Sequence, residues 1–137
     1  MIVADTSAVV ALIDADDRHH AALRDAYEHD PDAWVLPWAI LPEVDHIVAS
    51  KVSAAAARAF RKDLAASAFE VEWGSAGDFA RAAGLDARYA ALRLGLVDAV
   101  VMAVAERLGA RAIATLDVRD FGAVELDGSP ALWPRDL

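Results

Sequence analysis

The chain has no cysteine among its 137 residues, so a disulfide framework and a thiolate metal site are both excluded. It is nearly without lysine: Lys51 and Lys62 are the only two, and the remaining basic charge is arginine. No apolar run approaches the ~18 residues of a membrane span. The opening MIVADTSAVVALIDADD lacks the basic segment that starts a secretory signal. No repeat, low-complexity tail or linker divides the sequence. These absences point to one domain over residues 1–137, in a bacterial-type protein of the cytoplasm. Acid is what the chain has in excess, with 22 Asp and Glu against 13 Lys and Arg and a net charge of −9. A pI of about 4.7 argues against gripping nucleic acid through the overall field. Any phosphate contact must therefore be local, and the arginine fork suits that task. With 57% hydrophobic residues and a mean hydropathy of +0.28, the chain is not disordered.

Patterning gives alternating strands and helices. Met1 to Ala4 reads as a short buried strand, and Thr6-Ser7 offers capping side chains for an apolar helix over 8–13. After Asp14, Asp16 and Asp17, a second, more exposed helix is expected, reaching Tyr27. Pro31-Asp32 marks a turn, and Trp34-Val35-Leu36 a strand ended by Pro37. Ile40, Leu41, Val44, Ile47 and Val48 share one helical face. Pro42 stands inside that segment and is expected to kink or delay the helix. Ser53 reads as the cap of an Ala-rich helix reaching about Ala66. Phe69 to Trp73 alternates like a strand, a helix follows over about 76–92, and another begins near Val97 and ends at Gly109. Arg111 to Thr115 is a buried-type strand, and 123–126 and 131–133 are weaker strand candidates. Strands alternating with helices predict an α/β fold, a three-layer α/β/α sandwich around a mostly parallel sheet.

Ligands of open α/β sheets bind beyond the carboxyl ends of the strands, near the switch in strand order. Asp5 follows IVA and Asp117 follows AIAT, both at such ends. Asp98 falls in the first turn of the helix starting near Val97, where the helix dipole tolerates negative charge. Glu43 falls near the start of the Ile40–Val48 helix. Each acid by itself has an ordinary explanation as a cap, a first-turn acid, a turn residue or a solvated position. Their shared setting changes the weighting, because Asp5, Asp98 and Asp117 are embedded in strongly apolar sequence where an unpaired charge is costly. Converging carboxylates repel one another unless a hard cation lies between them, and oxygen-only ligation suits Mg²⁺ or Mn²⁺.

Four segments carry a family resemblance: IVADTSAVVALID, LPWAILPEVD, LGLVDAVVMAVAERLG and ATLDVRDF. With them, from Met1 to about Trp133, the chain resembles the PIN-domain ribonucleases, and more closely the VapC-type toxins of toxin–antitoxin pairs. The resemblance implies that Asp5, Glu43, Asp98 and Asp117 are metal-binding, catalytic acids, with Asp120 in support and Thr6 and Thr115 orienting them. It implies an endoribonuclease that cuts structured RNA such as tRNA or rRNA by Mg²⁺- or Mn²⁺-assisted hydrolysis. A VapB-type antitoxin covering the site and a homodimer are the partners it implies.

Other signals are weaker. His19-His20 has no companion ligand at metal spacing, and Glu43-x-x-His46 is half of a di-iron element that needs two such pairs. Trp34, Trp38, Trp73 and Trp133 read as core or interface residues. Arg88, Arg93 and Arg119 are near the acidic segments in sequence and are candidates for phosphate contacts. A phosphoacceptor receiver domain would need a lysine at the end of its last strand, whereas Lys51 and Lys62 lie mid-chain. A haloacid-dehalogenase phosphatase would show D-x-D after the first strand, where this chain has Asp5-Thr6-Ser7. A PIN-like module that binds RNA or protein without cutting is the other alternative.

Overall fold

A computed structural model describes all residues, 1–137. Five strands, β1 (Ile2–Ala4), β2 (Trp34–Pro37), β3 (Glu70–Glu72), β4 (Ala112–Ala114) and β5 (Ala131–Trp133), form one sheet in the order β3-β2-β1-β4-β5. Every pairing is parallel, so the expectation of a mostly parallel sheet holds without exception. Successive strand residues face opposite sides, and Ile2, Val3 and Ala4 are all fully buried, as are Ala112, Ile113 and Ala114. Both faces of the central strands are therefore covered, as continuous apolar runs in parallel strands demand. The edge strands β3 and β5 are only partly buried.

Seven helices flank the sheet: α1 (Thr6–Ile13), α2 (His20–His29), α3 (Leu41–Lys51), α4 (Ala54–Ala65), α5 (Ala76–Arg88), α6 (Gly95–Leu108) and α7 (Val118–Ala123). No helix is long and apolar enough to cross a membrane. One cluster of 33 buried residues runs through strands and helices, drawing on α1, α3, α6 and the middle strands. Ser53 caps α4 by accepting the Ala56 amide at 3.0 Å. Gly109 ends α6 with φ +60°, a left-handed turn that disfavours a Cβ.

Four boundaries differ from the sequence reading. Thr6 and Ser7, read as caps of a helix over 8–13, are instead the first residues of α1, with Asp5 at the cap position; the acidic cluster before α2 makes turns, Asp14 accepting the Asp16 amide and Asp17 the His19 amide at 2.8 Å. The helix expected over 76–92 stops at Arg88, and residues 90–92 form a 3₁₀ turn. Residues 123–126 are not a strand. The chain there leaves α7, which is capped by Asp117 accepting the Asp120 amide at 3.1 Å. Pro42 neither kinks nor delays α3; it occupies the first turn, where the backbone N–H it lacks would have had no intrahelical partner.

The α5–α6 pair is braced by Arg107. Its guanidinium donates to both oxygens of the buried Asp78 carboxylate, at 2.8 and 3.0 Å, and to Glu72 at 2.6 Å. Asp78 also accepts the Ser75 amide at 2.9 Å, closing a capping box at the start of α5. The hydrogen bonds from Arg107 hold the Asp78 carboxyl below its ordinary range. Its stabilising share is complete above about pH 4 and is lost as the pH falls through the lowered folded-state value. Arg107→Met should cost about 2 kcal/mol at neutral pH by stranding a buried charge. The gap in melting temperature between wild type and variant should close as the pH falls below about 4. A gap that stays constant across that range would remove the ion pair as its cause.

Candidate active site

The strand order places the site. From β1 the chain moves to β2 and β3 on one side, then returns to β4 and β5 on the other, so the switch lies between β1 and β4. Asp5 follows β1 directly and donates its amide to the Ala114 carbonyl at 2.8 Å, across that switch. Asp117 leaves the loop after β4. Glu43 is in the first turn of α3 and Asp98 in the first turn of α6, both at positive helix ends.

Asp5, Glu43, Asp98 and Asp117 all line one cavity of about 350 Å³, with Thr6, Ser7, Asp17 and Lys51. Asp98, Asp117 and Asp120 each offer a carboxylate oxygen, and these oxygens lie within 4.8 Å of one another. Thr115 stands fully buried behind Asp5.

A short hydrogen-bond chain fixes Asp5. Its Oδ2 accepts from Thr115 Oγ1 at 2.8 Å and from Ser7 Oγ at 3.1 Å. Thr115 Oγ1 in turn accepts the Asp117 amide at 3.1 Å, and Ser7 Oγ accepts the Leu116 amide at 2.9 Å. The loop carrying Asp117 is thereby tied to the residue after β1. Thr115 and Ser7 hydroxyls both bond the Asp5 carboxylate, whereas the Thr6 Oγ1 is buried without a partner. Ser7 is read from the sequence only as a capping residue; its side chain turns back to the strand ends, donating to Asp5 and accepting the Leu116 amide.

The electrostatics suit a cation. Burial first, then the charges of Asp5, Asp117, Glu43 and Asp120 in that order, push the Asp98 carboxyl up to about 7. Burial also raises the Asp5 carboxyl, with Glu43 adding to the rise and the bonds from Thr115, the Thr6 backbone amide and Ser7 opposing it. Asp5 Oδ1 is buried and has no side-chain hydrogen-bond partner. A buried anionic oxygen without a side-chain donor, beside further carboxylates, is the arrangement a divalent cation satisfies, and the all-oxygen donor set suits a hard one. These residues therefore fit a divalent metal.

The discounted signals stay outside the cavity. His20 Nδ1 lies 2.8 Å from the Ala11 carbonyl, tying α2 to α1. His46 is exposed and does not join Glu43 at the cavity. Trp34 is a core residue, edge-on to Tyr27, whereas Trp38 and Trp73 are exposed around a separate apolar groove of about 500 Å³. None of Arg88, Arg93 and Arg119 lines the acidic cavity. Arg88 stacks over the Tyr89 ring instead, 5.3 Å from its centre.

A parallel sheet with carboxylates gathered at its switch point defines a class of metal-binding α/β domain, and the chain belongs to the PIN-domain family, whose model matches residues 2–125. Among individual relatives, it is 34% identical to Ribonuclease VapC26 of Mycobacterium tuberculosis over 123 residues, covering 90% of this chain and 91% of that one. The fold is also that of the M. tuberculosis toxin VapC20, described as cleaving the sarcin–ricin loop, with a TM-score of 0.80, 23% identity, and coverage of 95% and 99%. The FitAcB structure from Neisseria gonorrhoeae superposes with a TM-score of 0.65 at 15% identity, covering 96% of each chain.

Carboxylates crowded around Asp98 should cost stability until a cation arrives. Asp98→Asn should raise the metal-free melting temperature by a few degrees. Mg²⁺ should raise the wild-type melting temperature and leave that of the variant nearly unchanged. Equal Mg²⁺ shifts in both proteins would remove Asp98 from the metal site.

Proposed function

We infer that this protein is an endoribonuclease of the VapC toxin kind, hydrolysing phosphodiester bonds of RNA at the acidic cavity. The observation that carries this reading is the convergence of Asp5, Glu43, Asp98 and Asp117, from four separate segments, on one cavity at the switch point of a PIN fold. Those four acids, with Asp120 in support, would hold Mg²⁺ or Mn²⁺. Bound there, the cation supplies a polarised water and positive charge for the phosphate and the leaving oxygen. The chain's own contribution is placement. Thr115 and Ser7 saturate Asp5 Oδ2 and leave Oδ1 free to face a ligand. Thr115 also ties down the Asp117 backbone, so the acids after β1 and β4 keep a fixed separation.

The substrate in this reading is structured RNA, tRNA or rRNA, met in the cytoplasm by a one-domain protein acting as a homodimer. A VapB-type antitoxin would silence it by covering the cavity, with a basic side chain drawn in by the same acids. The relative at 34% identity is named a ribonuclease, which supports the reaction class.

Purified protein free of antitoxin should cut total bacterial RNA into discrete fragments with Mg²⁺ or Mn²⁺ and not with EDTA. Asp5→Asn should abolish cutting, and Thr115→Val should slow it about 10- to 100-fold by loosening Asp5. A folded sample that cuts in no metal would favour a PIN-like module that binds RNA or protein without cleaving it.

A further inference from the structure

The acids leave a problem that the metal alone does not solve: a polyanion must approach a protein of net charge −9 at its most acidic cavity. Among the residues lining that cavity, Lys51 is the one cation. It is one of only two lysines in the chain. Its placement follows from α3. Glu43, Ile47 and Lys51 are spaced four apart, so they form one stripe along the helix, and all three line the cavity. At 1.5 Å per residue, the eight residues from Glu43 to Lys51 set their backbones ~12 Å apart along the axis. The Lys51 backbone therefore stands beside the carboxylate cluster, and its ammonium meets Asp17, which is not one of the clustered acids.

Asp17 is the acid nearest to it at ion-pair distance. The Lys51 ammonium lies 4.0 Å from Asp17 Oδ2, and the Asp17 side chain is 13% exposed while that of Lys51 is 55% exposed. The other Asp17 oxygen accepts the His19 amide at 2.8 Å, so the anchor is itself fixed. A loose ion pair with one half-exposed partner leaves the ammonium donors free for a second anion.

We propose that Lys51 binds a backbone phosphate of the RNA flanking the scissile one, guiding the strand along α3 into the acidic cavity. The proposal rests on the nuclease reading for its substrate, and it gives the chain the local phosphate contact that its overall charge denies it. A contact to a flanking phosphate is made equally in the ground and transition states, so it acts on binding and not on the chemical step.

The test uses end-labelled total bacterial RNA as the probe, with retention on a filter measured in Ca²⁺ so that binding is read without cleavage. Lys51→Ala should weaken binding about fivefold, and the slope of log affinity against log salt, between about 50 and 200 mM KCl, should flatten by about 0.7 to 1. Lys51→Arg should retain both. In Mg²⁺, Lys51→Ala should raise KM and leave kcat nearly unchanged. A purely structural role for Lys51, at the C-terminal end of the α3 dipole, would instead lower the melting temperature and leave the salt slope alone. Unchanged binding and salt slope in Lys51→Ala, or a loss confined to kcat, would overturn the proposal. Weakened, salt-flattened binding in a protein that cuts no RNA would uphold the Lys51 contact and reject the nuclease reading.

Discussion

Carboxylates gathered at one cavity, with oxygens of Asp98, Asp117 and Asp120 within 4.8 Å of one another, are the constraint around which this molecule is arranged. Carboxylates at such spacing repel, and the repulsion is sharpened where burial removes water from them. A floppy chain would let them separate. Here each acid is fixed by an element of the fold: Asp5 by the fully buried β1, Asp117 by its amide donating to Thr115 and its carboxylate accepting from the Asp120 amide, Glu43 and Asp98 by the opening turns of α3 and α6. The apolar sheet supplies the rigidity, and the helix N-termini supply part of the compensating positive charge. The rest is left for a cation.

The same constraint explains which features were legible in the sequence. An acid that follows a fully apolar strand, or opens an apolar helix, stands out because ordinary packing would not put it there; Asp5, Asp98 and Asp117 were visible in that way. The strands β1, β2 and β4 were legible because a buried parallel strand is apolar throughout. α7 was not, since six residues carry too little periodicity, and its start depends on Asp117 capping Asp120, a bond that spacing alone does not reveal. The acidic run at 14–17 bonds to neighbouring backbone and turns the chain before α2 begins, a detail that spacing does not reveal either. Ser7 and Lys51 were passed over for a related reason. A hydroxyl reads as a cap and a lone lysine as a surface residue until the fold shows what each one faces.

The charge on the chain is also not evenly used. Arginines serve the architecture: Arg107 braces α5 to α6, Arg81 pairs with Glu106 through two bonds at 2.6 and 3.0 Å, and Arg61 reaches Asp45. The planar fork suits fixed, two-point bracing, and these arginines are committed to carboxylates of the same chain. No arginine lines the acidic cavity.

Asp5 and Thr115, which touch at 2.8 Å, are 110 residues apart in the chain. A chain cut before Thr115 keeps Asp5 but loses both its partner and Asp117, so it cannot assemble the cavity. Because synthesis runs from Asp5 toward Asp117, the acidic cavity can close only after both ends of that span have been made.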